Sequence, residues 1–100
     1  METPETGLYD QEITAQCVTS ISVPAAEVAW SEAGVTRSVI HSVQGGYMTV
    51  STITIPPPGP GDQHTLTLEC NALYHDTVVT SDSNIITILS KSAQVLMSHV

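Results

Sequence analysis

Cys17-Val18-Thr19-Ser20-Ile21-Ser22-Val23-Pro24-Ala25-Ala26-Glu27-Val28-Ala29-Trp30 is the stretch on which the fold turns. Residues 11–19 alternate, with Ile13, Ala15 and Cys17 on one face at the period of two that a half-buried strand requires. Pro24 cannot donate to a ladder, so residues 21–26 read as a connection. Residues 27–31 then form a second strand, with Val28 and Trp30 inward and Glu27 and Ala29 outward. The only tryptophan thus falls 13 residues after the first cysteine, and the second cysteine, Cys70, lies 53 positions after the first.

The remaining sequence has the same rhythm. Thr, Val, Ile and Ser dominate, and turn signals recur at short intervals, as in an all-β sandwich. Residues 35–43 form a middle strand, closed by the hairpin signal Gly45-Gly46. Residues 47–55 form the next strand, where the alternation slips. Met48 and Val50 share one phase and Ser51, Ile53 and Ile55 the other. The second phase is expected to face the core, with a bulge or edge effect before it. The run Pro56-Pro57-Pro58-Gly59-Pro60-Gly61-Asp62 excludes strand and helix and reads as a loop with a stiff start. Residues 65–74 carry Leu66, Leu68, Cys70 and Ala72 on one face. Asp76 opens a turn, Val78-Val79 begins a strand, Ser81-Asp82-Ser83-Asn84 reads as a polar break, and residues 85–89 as a buried strand.

Composition restricts function. The chain has 100 residues, so one small domain is expected. Hydrophobic residues make up 41%, which excludes disorder by composition, and with no Phe the core must be aliphatic around one indole. Two basic against ten acidic residues, net −8, exclude phosphate neutralisation and so nucleic-acid binding, and they disfavour anionic lipid. No apolar run approaches a membrane span, so no direct insertion is expected. The N-terminus lacks the basic and apolar regions of a signal peptide, which suggests a piece taken from a longer protein. Asn71 and Asn84 are not in glycosylation sequons.

Chemistry-bearing residues are sparse. Cys17 and Cys70 could be a disulfide, part of a metal site or free thiols, but no CxxC is present. His41, His64, His75 and His99 show no tight ligand spacing, and His75 and Asp76 would point to opposite faces of a strand. The serines and threonines show no nucleophile elbow. No catalytic residue, metal or cofactor is expected.

The segment from Cys17 to Trp30 resembles the corresponding region of constant-type, membrane-proximal immunoglobulin domains in nectin-like, CD200-like and B7-like surface proteins. Met48-Thr49-Val50-Ser51-Thr52-Ile53-Thr54-Ile55 is similar to their E strand, and Glu69-Cys70-Asn71-Ala72-Leu73-Tyr74-His75 to their F strand. Immunoglobulin-like domains of herpesvirus glycoproteins and viral immune decoys share the pattern. The tyrosine expected two residues before the second cysteine is Leu68 here, so the tyrosine corner is absent, and the spacing between cysteines is short for a variable domain.

The resemblance implies an all-β, two-sheet Greek-key sandwich of about seven strands. It would have an inter-sheet disulfide Cys17–Cys70 and a core including Trp30, Val28, Leu68 and Ile53. It implies a non-enzymatic recognition or spacer domain over residues 11–90, in the extracellular part of an adhesion or immune receptor–ligand glycoprotein or of a viral imitation. The partner would be a protein on another cell or host surface, with neighbouring immunoglobulin-like domains in the full chain. An intracellular structural domain of a cytoskeletal array, with reduced cysteines, is the alternative from another class. Residues 1–10 are expected to be a flexible lead-in or first strand, and 91–100 a tail, helical or linking to a following domain. No residue carries a binding motif. The surfaces most available to a partner are residues 35–44, 56–64 and 76–84.

Overall fold

The computed structural model describes residues 1–59 and 64–89. Seven strands follow in chain order: β1 Thr6–Leu8, β2 Ile13–Val18, β3 Glu27–Trp30, β4 Val35–Val43, β5 Gly46–Ile55, β6 Thr65–Tyr74 and β7 Thr77–Leu89. They form two sheets, one ordered β1-β7-β6-β3 and the other β2-β5-β4. All pairings are antiparallel except β1 with β7. This is the immunoglobulin constant-type arrangement, in which the fourth strand joins the sheet of the second and fifth.

Pro4 lies where the chain changes sheets. Before it, Glu2 exchanges two backbone hydrogen bonds with Gln16 of β2, at 2.7 and 2.9 Å. After it, β1 runs parallel to the end of β7, with Gly7 opposite Ile88.

Cys17 of β2 and Cys70 of β6 form a disulfide between the two sheets, with Cα atoms 6.5 Å apart. Closing 53 residues of chain, such a bond typically contributes about 2–4 kcal/mol. The hydrophobic core lies to one side of it. Ile13, Ala15, Ile53, Ile55, Leu66, Leu68, Ile86 and Ile88 form one buried cluster, and Ile53, Leu68 and Ile86 are fully buried. Trp30 packs against this cluster from β3 but is half-buried, and Val28 is half-buried outside it. β3 is a four-residue strand at a sheet edge, so its inward side chains are covered from one side only.

Two sequence expectations need correction. β5 contains no bulge: it pairs with β2 and β4 in unbroken register. Its inward positions are Thr49, Ser51, Ile53 and Ile55, all buried. Two of these are polar and yet satisfied. Thr49 Oγ1 donates to the Ala26 carbonyl at 2.6 Å, and Ser51 Oγ accepts from Trp30 Nε1 at 3.0 Å. Hydrogen-bonded hydroxyls in the core are what made the apolar pattern seem to slip.

The second correction concerns β7. Ser81-Asp82-Ser83-Asn84 is no break, because each residue pairs with β6 in a continuous 13-residue strand. Its polar side chains find partners. Ser81 Oγ donates to Asn71 Oδ1 at 2.6 Å, and Asn84 Nδ2 donates to Thr3 Oγ1 at 3.1 Å. The irregularity lies elsewhere: Ala72 faces Thr80 and Leu73 faces Val78, so Val79 is the extra residue of a bulge. The expected tail at 91–100 lies outside the described residues.

Candidate recognition site at one end of the sandwich

The inward positions near the disulfide are small. Cys17 and Thr19 on one side, and Cys70, Ala72 and Thr80 on the other, cannot fill the space between the sheets as Ile and Leu do farther along. A cleft of about 350 Å³ is left there, open to solvent and also lined by Ser22, Ala26, Tyr74 and Val79. Ser22 Oγ is buried and has no hydrogen-bond partner among the described residues.

Three connections frame this end. The first is the chain between β2 and β3. Thr19 N–H donates to the Thr49 carbonyl and Thr49 N–H to Thr19 Oγ1, each at 2.9 Å. Ser22 bridges Tyr47 by two backbone hydrogen bonds of 2.9 Å. The Tyr74 hydroxyl donates to the Val23 carbonyl, and the Val23–Pro24 peptide is cis. The connection is thereby fixed to both sheets.

The second is the β4–β5 turn, Gln44-Gly45, with Gly45 at φ +97°. Gly46 begins β5 at φ +150°, and a Cβ there would stand 2.7 Å from the Ser22 carbonyl oxygen. The close approach of the two connections requires glycine at 46.

The third is the β6–β7 turn, His75-Asp76, with both residues in the left-handed region at φ 51° and 62°. Positive φ at both central residues is the mirror-type turn that matches strand twist. His75 and Asp76 are therefore turn residues rather than opposite faces of a strand.

Large apolar side chains lie on these connections and on the strand ends beside them. Ile21, Val23, Tyr47, Val78 and Val79 are between 41% and 63% exposed, with Val18 at 48% beside them. Tyr74, half-buried, stands between Val23 and the hairpin tip with its ring edge-on to His75 at 4.4 Å. Val18 is an outward position of β2, Val78 pairs with Leu73, an outward position of β6, and Val79 lines the cleft, so exposed apolar side chains ring this end of the sandwich, as at an interaction site.

Charge is nearly absent from it. Asp76 is at the tip, and Asp82 is paired. The Met1 ammonium donates to Asp82 Oδ2 at 2.9 Å, and this contact holds the Asp82 carboxyl below its ordinary range.

Of the surfaces expected from sequence, the first half of β7 belongs to this end, β4 lies along an edge, and 56–64 is at the other end. Of that last loop, 60–63 lie outside the described residues. Sequence reasoning missed Ile21, Val23 and Tyr47. The one signal was large apolar residues in a proline-containing connection without strand period. Among the described residues no group of three or more His, Cys, Asp or Glu side chains could hold a metal, and no helix is long and apolar enough to cross a membrane.

Comparison with family models matches residues 1–81 to the CD80-like C2-set immunoglobulin domain. The chain belongs to that family. The match runs from the first residue through the disulfide, the cleft and the β6–β7 turn of this C2-set domain, and ends within β7. No curated protein matches the domain. Immunoglobulin sandwiches of this kind act generally through protein–protein contact.

Proposed function

We propose that this C2-set domain is a non-enzymatic recognition module in the extracellular part of a cell-surface adhesion or immune receptor–ligand protein. It meets its protein partner with the end formed by the three connections. The observation that carries this reading is the exposure of Ile21, Val23, Tyr47, Val78 and Val79 on and beside the three connections at one end. Apolar and aromatic side chains with little charge are what the centre of a protein interface needs. The Cys17–Cys70 disulfide supports an oxidising compartment and so the extracellular over the cytoskeletal reading.

The test is display of the tetramerised domain to a panel of expressed cell-surface ectodomains, alongside Val23→Lys, Val78→Lys and Ile85→Lys. The first two place a charge at the proposed centre. Ile85, 65% exposed on β7 away from that end, is the control. Binding that fails with Val23→Lys and Val78→Lys and persists with Ile85→Lys supports the reading. Binding indifferent to the first two, or no binding across the panel, overturns it.

A further inference from the structure

The two sheets have four outer edges, and three are blunted. β1 has three residues and β3 four, and the outer edge of β2 is taken by Glu2. The fourth, β4, is nine residues long, and among the described residues no strand pairs with its outer side. Eight of its nine residues are exposed, Val35 at 76% and Ile40 at 57% among them. Long open edges are ordinarily guarded by proline, lysine, inward charge or a bulge. β4 has no proline, lysine, inward charge or bulge, and its single charged side chain is Arg37: its sequence is Val-Thr-Arg-Ser-Val-Ile-His-Ser-Val, and its register with β5 is unbroken.

The direction of its free backbone groups follows from β5. Tyr47 and Thr49 bond toward the β2 side, through Ser22 and Thr19. Alternate residues bond to opposite sides, so the even-numbered residues of β5 bond β4. Those pair with odd-numbered β4 residues, such as Val50 with Val39. The N–H and C=O groups of Thr36, Ser38, Ile40 and Ser42 therefore point outward.

We infer that β4 is a self-association edge, pairing antiparallel with β4 of a second copy about a two-fold axis at Val39. This register is the one that uses all nine residues of both strands. Ser38 then exchanges both backbone hydrogen bonds with Ile40 of the second copy, and Thr36 with Ser42. On the outer face Val39 meets its own equivalent and Val35 meets Val43. Charge selects a second copy as the occupant. The chain carries −8 overall and its copies repel, yet residues 33–61 contain no Asp or Glu, so this hairpin is where two copies can approach. The two β2-β5-β4 sheets become one continuous sheet, and the end described above remains free on each copy. An edge contact buries less than a standard interface, so the dimer is weak.

Sedimentation of the full chain from about 10 μM to 1 mM tests this, over the range expected of a weak complex. The expected result is a concentration-dependent rise from 10.6 kDa toward twice that mass. Val39→Asp, which puts two carboxylates on the axis, and Ile40→Pro, which removes an outward N–H, each weaken association at least tenfold with unchanged circular dichroism. Two cysteine variants guard against misfolding of these. Oxidised Val39→Cys forms an intermolecular disulfide, since residues facing across such a site have Cα atoms about 4.5 Å apart. Val35→Cys, whose partner is Val43, does not. A monomer at every concentration, or cross-linking equal at both positions, overturns the inference. Concentration-independent protection of the Ser38 and Ile40 amides from exchange also overturns it, because the chain would then be covering its own edge.

Discussion

Thr19 and Thr49 hold one another twice, Thr19 N–H donating to the Thr49 carbonyl and Thr49 N–H to Thr19 Oγ1, both at 2.9 Å. The Thr49 hydroxyl goes on to the Ala26 carbonyl at 2.6 Å. One buried residue of β5 thus ties both ends of the β2–β3 connection, which carries Ile21 and Val23. Thr49→Val keeps the shape and leaves the Ala26 carbonyl without its donor. We expect a loss of about 1–3 kcal/mol in urea unfolding. Amide exchange should also be faster in residues 20–25 than in β6.

Ser51 is fully buried and accepts from both Trp30 Nε1, at 3.0 Å, and Ser38 Oγ, at 3.1 Å. Ser51→Ala strands the indole N–H in a half-buried site. The expected cost is about 1–3 kcal/mol, seen as a lower urea midpoint at unchanged slope and a shifted tryptophan emission. Emission and midpoint both equal to the parent would show that this hydroxyl does not anchor Trp30.

The His75-Asp76 turn places two side-chain-bearing residues at positive φ. Asp76→Gly relieves one of them while adding chain entropy to the unfolded state. The expected net gain is up to about 1 kcal/mol, measured by thermal unfolding. Asp76→Val, β-branched at the same φ, should be clearly destabilising.

Asp82 links pH to the N-terminus. Its carboxyl is held low first by the hydrogen bond from the Met1 ammonium and then by that group's charge. A carboxyl whose folded pKa is depressed adds stability above its unfolded pKa, and that stability is lost as pH falls through the lowered folded value. Acetylating the N-terminus should return the Asp82 titration, followed by carboxyl NMR, to the ordinary range. The acid-side slope of stability should shrink, while stability near neutral pH changes little because the pair is exposed.

Much of the sandwich could be read from period-two patterns. Residues 65–74 alternate cleanly, because Leu66, Leu68 and Cys70 are inward and apolar, and β6 has those bounds. The core-facing phase of Ser51, Ile53 and Ile55 was legible, but the polar, hydrogen-bonded Thr49 hid its continuation and suggested a bulge that β5 lacks. The reading failed where a polar run such as 81–84 stays extended through side-chain partners distant in sequence, Thr3 and Met1 among them. The candidate site was the least legible part. Val23, Tyr47 and Val78 come from three separated parts of the chain, which contacts such as Ser22–Tyr47 and Tyr74–Val23 bring to one end. No local pattern encodes such a meeting.

The most direct measurement is hydrogen exchange mapped residue by residue on the domain alone and bound to its protein partner. Recognition through the end of the sandwich requires new protection in residues 21–24, 46–48 and 74–79, with β1 and the Ile85 region unchanged. Protection confined to the outer sheet faces or to the opposite end, with 74–79 exchanging as in the free domain, would contradict it.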